Sequence, residues 1–136
     1  MKEIAILLPY KENFTEESAG AASIWVKDYL SRSKLNTKSI VYGSLEKNSK
    51  PLLKNFKNLN IKNKFIKKNI AYTEKLYQEY NKYGFKIIEI HNRPESLLYL
   101  IKKKVKAKLI FVYHNNPQDL RSSATVRERI FIAENT

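Results

Sequence analysis

The fold is decided first by residues 4–9, which read Ile-Ala-Ile-Leu-Leu-Pro. A continuous apolar run of this length is typical of a strand that is buried on both faces, as in the centre of a parallel sheet. Proline closes the run because it lacks the N–H group that a ladder requires. Residues 4–9 therefore predict a central strand near the start of the chain.

Short β-branched runs then alternate with amphipathic segments along the rest of the sequence. This alternation is typical of βαβ units. It predicts an α/β fold, a Rossmann-like three-layer domain with a mostly parallel sheet. The further predicted strands are Ser39–Ser44, Ile61–Ile66, Ile87–His91 and Lys108–Tyr113.

Four helices are predicted between and after these strands. Glu16 and Glu17 precede the first, where the helix dipole favours anions. The second runs from Asn69 to Tyr83, and the third opens at Asn92, whose side chain is suited to capping. Ser122 or Ser123 is expected to cap the last helix. The first helix carries its apolar stripe on Ala22, Trp25, Val26, Tyr29 and Leu30.

Composition excludes several classes of protein. A length of 136 residues supports one hydrophobic core, and a hydrophobic share of 43% with three glycines excludes disorder and fibres. No apolar run approaches the roughly 20 residues of a membrane span, and the N-terminus lacks the features of a signal peptide. Without cysteine and with two histidines, a resident metal is not expected. These features predict a soluble, cytoplasmic protein.

The charge is strongly positive, with 26 basic and 13 acidic residues and a net charge of +13. A negatively charged neighbour is one explanation. The other is genome composition, because lysine, asparagine, isoleucine and tyrosine are all favoured by AT-rich coding sequences.

Ligands of open α/β sheets bind beyond the carboxyl ends of the strands, so the residues there are the candidates for function. Neither G-x-x-x-x-G-K-[ST] nor G-x-G-x-x-G occurs, which disfavours P-loop NTPases and dinucleotide enzymes and leaves no cofactor expected. After the first strand, Gly20 and Ala21 lead into a helix. They either admit a phosphate or sugar to its N-terminus or merely allow the helix to pack closely on the sheet.

The fourth strand ends in a polar cluster. Glu89 interrupts the apolar run, and His91, Asn92 and Arg93 follow it. Alternation places Glu89 and His91 on one face of the sheet, with Arg93 or His114 as candidate partners for the carboxylate. The alternative is a solvated Glu89 at the sheet edge.

The fifth strand is followed by His114. Its imidazole can hydrogen-bond a substrate hydroxyl or phosphate near neutral pH, or act only in structure. Arg121 and Ser122 lie beside the predicted last helix and offer an anion-binding arrangement.

The order of these segments resembles the N-terminal domain of retaining GT-B glycosyltransferases, particularly those that build lipopolysaccharide and other surface glycans. The resemblance extends over essentially the whole chain. Four segments carry it, at residues 4–9, 18–21, 89–94 and 111–115.

The resemblance implies a two-domain enzyme in which this chain is the acceptor-side half and a missing C-terminal domain holds the nucleotide sugar. That this sheet ends without a further strand also suggests a piece of a longer protein. By the resemblance, the turn at Gly20 and Ala21 would approach the donor and His114 would meet the transferred sugar. Asn92 and Arg93, with Glu89, Arg121 and Ser122 nearby, would serve substrate binding. Ala21 departs from the more common second glycine.

The lysines are concentrated between Lys47 and Lys68, a stretch with eight lysines and no acid. Related enzymes that use lipid-linked acceptors dock on anionic membrane through such surfaces, so peripheral attachment to the inner membrane is one prediction. The rival is a non-enzymatic basic module that binds nucleic acid or anionic lipid. No nucleic-acid motif supports it.

Overall fold

The fold was examined in a computed structural model that describes residues 2–45, 48–61 and 67–114. Its described part contains one sheet of five parallel strands in the order β3-β2-β1-β4-β5, the Rossmann order, so the predicted fold class is confirmed. The strands are β1 Ile4–Leu7, β2 Ser39–Gly43, β3 Phe56–Asn58, β4 Ile87–His91 and β5 Lys108–Val112. The helices are α1 Ala21–Ser31, a 3-10 helix Lys34–Lys38, α2 Lys68–Tyr83 and α3 Pro94–Lys102.

Three layers follow from the alternation of side chains along the strands. Ile4 and Ile6 of β1 point to the same side as Val26 of α1. Ala5 and Leu7 point to the other side, where α2 and α3 pack. All four residues of β1 are buried, as the apolar run predicted for a central strand.

Helix α2 ends as predicted. Gly84 adopts a left-handed φ of 65°, and its N–H donates to the carbonyl of Tyr80. Near the start of α2, the buried hydroxyl of Tyr72 donates to the carbonyl oxygen of Leu8 at 2.7 Å. This bond ties α2 to the segment just beyond β1, where the functional loops begin.

The third strand of the sheet lies earlier in the chain than the predicted Ile61–Ile66, most of which is outside the described residues. The sheet takes Phe56–Asn58, whereas Ile61 is outside any strand and residues 62–66 lie outside the described residues. Phe56 pairs with Val41, so this short edge strand is defined by its neighbour and not by an apolar run of its own.

In residues 2–45, 48–61 and 67–114, no helix is long and apolar enough to cross a membrane.

Candidate functional site

Two histidines form the centre of the candidate site. His91 ends β4, and His114 follows the neighbouring strand β5. Nδ1 of His91 lies 2.8 Å from Nε2 of His114, and the two rings stack with an interplanar angle of 13°. Burial first, and then the charge of His91, lowers the pKa of His114 below its ordinary 6.5. A lowered pKa favours the neutral His114 imidazole, so in this hydrogen bond one ring nitrogen donates and the other accepts.

Glu89 lies behind this pair on the α1 face of the sheet. It is 7% exposed on an interior strand, so the solvated-edge alternative is wrong. Its Oε1 lies 3.6 Å from Nε2 of His91, so the carboxylate faces this ring, and its charge also acts on the predicted partner His114; no ion pair with the other predicted partner, Arg93, is found among the described residues. Nε2 of His91 is fully buried and has no hydrogen-bond partner in the described part of the chain.

The carboxylate determines which proton positions are favourable. A negative charge beside Nε2 of His91 favours the tautomer that carries its proton there. Nδ1 of His91 then accepts, and Nε2 of His114 donates. We infer that Nδ1 of His114 keeps its lone pair, which suits it to accept a hydrogen bond from a hydroxyl group.

Trp25 covers the histidine pair. Its ring centroid lies 5.4 Å from that of His91 and 5.8 Å from that of His114. The sequence placed Trp25 on the core stripe of α1, but the side chain is 42% exposed. The sequence predicted correctly that Trp25 lies on the face of α1 that is turned toward the sheet. It did not predict that the indole ring packs beside His91 and His114.

Asn92 fixes the loop that carries His114. Its Oδ1 accepts the backbone N–H of His114 at 2.7 Å, while its own N–H donates to the carbonyl of Val112. Asn92 has a left-handed φ of 64°, which asparagine tolerates better than most residues. The predicted capping role is wrong, because Arg93 occupies the N-cap of α3 and Asn92 instead joins two loops.

The start of α1 is occupied by a carboxylate from the preceding loop. Oε2 of Glu12 accepts hydrogen bonds from the N–H of Ser23 at 2.7 Å and from its hydroxyl at 2.6 Å. A Cβ on Gly20 would lie 2.5 Å from Oε1 of Glu12, so glycine here permits a close approach by Glu12. Neither Glu16 nor Glu17 lies in the first turn, which begins at the exposed Ala21.

A cavity of about 520 Å³ opens at the same edge of the sheet, beside the N-termini of α2 and α3. Arg93 is one of its walls. The lysines between Lys47 and Lys68 therefore do not form one surface. Lys67 and Lys68 line this cavity, whereas Nζ of Lys57 lies 2.6 Å from Oε1 of Glu79. Around the cavity lie Tyr10, Lys11, Lys67, Lys68, Arg93 and Glu95, among others.

Two of the predicted site residues, Arg121 and Ser122, lie outside the described residues, as does the predicted last helix. The others lie in three places at this edge of the sheet. Glu89, Asn92 and His114 belong to the histidine cluster, and Arg93 belongs to the cavity. Gly20 and Ala21 lie at the start of α1. In the described part of the chain, no group of three His, Asp or Glu residues is arranged to hold a metal ion.

Comparison with protein families and with curated sequences gives no match. Comparison with solved structures finds sucrose-phosphate synthase from Thermosynechococcus elongatus, at a TM-score of 0.59 and 15% sequence identity. The match covers 98% of this chain and 40% of that chain, so this chain spans less than half of that protein's length. The likeness shows the fold. It is a three-layer, Rossmann-like α/β domain with a parallel sheet.

Sequence reasoning missed the roles of Glu12, Trp25 and the cavity lysines. Glu12 lies in a polar loop without any motif, and its partner Ser23 is eleven residues away. One usable signal was the absence of an acid in the first turn of α1 and of α2, which leaves both N-termini open to an anion from elsewhere.

Proposed function

We propose that this chain is the N-terminal, acceptor-side domain of a retaining glycosyltransferase, which moves a sugar from a nucleotide-sugar donor to an acceptor hydroxyl. The observation that carries the proposal is the hydrogen-bonded pair of His91 and His114 at the carboxyl edge of a GT-B-like sheet. The structural neighbour supports it, being named for the synthesis of sucrose phosphate.

His114 is the group that contacts the transferred sugar in this proposal. Its lowered pKa keeps the imidazole neutral at physiological pH, so the ring accepts a hydrogen bond from a sugar hydroxyl. Trp25 supplies an apolar ring of the type that packs against sugars, and Asn92 holds the His114 backbone in place. Positioning of this kind lowers the barrier by fixing the reacting groups in one geometry.

The donor's nucleotide diphosphate is held by a second, C-terminal domain of the same polypeptide in this proposal. Charges of that domain stabilise the departing diphosphate, and no resident metal is required. Where the diphosphate nears α1, it meets the Glu12 carboxylate, which must turn away from Ser23. The acceptor is a lipid-linked or surface glycan, of the lipopolysaccharide type that the sequence resemblance implies.

The test uses the full-length polypeptide and a donor assay that needs no acceptor. The protein is incubated with radiolabelled UDP-glucose or GDP-mannose, and the release of free sugar is measured. His114→Ala is expected to reduce release at least tenfold while the circular dichroism spectrum is unchanged. Lys75→Ala, on the exposed face of α2, is the matched control. Equal release by the wild type and His114→Ala would remove His114 from the site, and no release of either sugar by the wild type would count against the function.

A further inference from the structure

The cavity beside α2 and α3 has a chemistry of its own. We propose that it binds a phosphate group carried by the sugar acceptor, an inference that rests on the proposed transferase function. The cavity is separate from the histidine pair, since Tyr10 belongs to the core on the α2 and α3 side, whereas His91 points toward α1.

The charge of the cavity is the first argument. Four cationic side chains and one carboxylate line it, a formal balance of four minus one, or +3. None of the four cations forms an ion pair with a described residue, whereas Lys57 and Lys86 both do. Unpaired cations that converge on one concave surface attract a multiply charged anion. The cations are Lys11, Lys67, Lys68 and Arg93.

The position of these cations is the second argument. Lys67 is the N-cap of α2, Lys68 is its first residue, and Arg93 is the N-cap of α3. Helix dipoles disfavour cations at N-termini, so this placement opposes helix stability. Neither N-cap side chain accepts a hydrogen bond, and the first turn of α2 contains no acid. A bound phosphate would satisfy the N-terminus of α2 and the cations, whereas α3 begins with Pro94, which has no N–H, and already has Glu95 in its first turn.

The loop after β1 provides a fixed wall for the cavity. Lys11 has a left-handed φ of 72°, an uncommon conformation for a lysine. The neighbouring Tyr10 ring lies 5.5 Å from that of Tyr72, whose hydroxyl is bound to the carbonyl of Leu8. Tyr10 is therefore packed against the core, and the exposed Lys11 that follows it lines the same cavity.

The remaining lining selects among phosphate compounds. Glu95, Asn69 and the Tyr10 hydroxyl are suited to accept or donate hydrogen bonds to a polyhydroxylated ring. A volume of about 520 Å³ is sufficient for a monosaccharide phosphate. A phosphorylated sugar, free in solution or attached to lipid, satisfies both halves of this lining, whereas a bare anion satisfies only the cations.

The test is direct binding to the full chain, without any donor. In isothermal titration calorimetry, glucose 6-phosphate is expected to bind at least tenfold more tightly than glucose. The double variant Lys67→Gln/Lys68→Gln should weaken this binding at least tenfold, and Lys67→Arg/Lys68→Arg should restore most of it. Lys54→Gln/Lys75→Gln removes the same charge outside the cavity and should change the affinity less than twofold.

A second arm distinguishes the source of the phosphate. If it is carried by lipid, the chain should pellet with phosphatidate vesicles, the Gln double variant should not, and glucose 6-phosphate should compete because both phosphates occupy the same cavity; if it is free in solution, the chain should bind glucose 6-phosphate without pelleting. Absence of binding to both probes, or equal weakening by the two double variants, would overturn the proposal. It would also be overturned if a short RNA bound through these lysines without competition from glucose 6-phosphate. Because binding is measured without turnover, it fails independently of the donor assay for His114.

Discussion

Gly20→Ala tests the contact that closes the start of α1. The new Cβ would lie 2.5 Å from Oε1 of Glu12, closer than two such atoms can approach. The backbone of Gly20 is extended, with a φ of −84°, so alanine itself is tolerated there. The carboxylate must therefore move, and its two hydrogen bonds to Ser23 must lengthen or break.

The magnitude follows from those two bonds. A hydrogen bond to a charged group contributes about 1.5–3 kcal/mol, and an anion at a helix N-terminus adds about 0.3–1 kcal/mol. Glu12 is only half-buried, and water replaces part of what is lost. We expect Glu12→Ala to reduce the free energy of unfolding by about 2 kcal/mol. Gly20→Ala should reduce it by about 1–2 kcal/mol, mostly through displacement of Glu12.

A double-mutant cycle measured by urea denaturation isolates this mechanism. Once Glu12 is alanine, Gly20→Ala has no carboxylate to displace and should cost only about 0.5 kcal/mol. The coupling energy is therefore expected to be about 1 kcal/mol, with equal m-values for all four proteins. Additive effects within about 0.3 kcal/mol would refute the reasoning and show that Gly20 serves some other contact.

Four further outcomes are expected. The pKa of His114 in the folded chain lies below 6.5, so the unfolded chain binds more protons in acid than the folded chain does. The stability that is present above pH 6.5 is therefore lost as the pH falls toward the folded pKa. Emission of Trp25, the single tryptophan, should be quenched over the same range in the wild type and not in His114→Gln. Tyr72→Phe should reduce the free energy of unfolding by about 1–2 kcal/mol in urea, since it leaves the buried Leu8 carbonyl without its donor; no change would show that water replaces the hydroxyl. Asn92→Ala in the full-length enzyme should lower donor turnover at least tenfold. Asn92→Gly keeps the left-handed φ without strain but removes the side chain, so an equal loss in this variant would assign the effect to the hydrogen bond with His114.

The sequence predicted the elements whose pattern is local. Ile4–Leu7 form a buried strand because every side chain there is apolar, and α2 ends at Gly84 because glycine adopts a left-handed φ without strain. Strand β3 escaped prediction because Phe56, Lys57 and Asn58 have no strand pattern of their own. Their pairing is set by β2, which lies more than a dozen residues earlier in the chain.

The site was predictable as a set of positions and not as a set of contacts. Parallel strands end at one edge of the sheet, which is sufficient to expect His91 and His114 near each other once β4 and β5 are neighbours. The direction of a side chain depends on tertiary packing. Helical periodicity gives Trp25 its face, but it does not reveal that histidine rings lie opposite. For the same reason Glu89 was expected to pair with Arg93 or His114, whereas its carboxylate lies 3.6 Å from Nε2 of His91.

The two proposed sites are connected by a single turn. Asn92 holds the backbone of His114, and the next residue, Arg93, lines the cationic cavity. Asn92, with its left-handed φ of 64°, and Arg93 together form the connection between β4 and α3, so one short turn carries a residue of each proposed site. An acceptor held by its phosphate at Arg93 is therefore restrained relative to His114 by two covalently linked residues. Such a short connection limits their relative motion, which is the condition for aligning an acceptor hydroxyl with a transferred sugar.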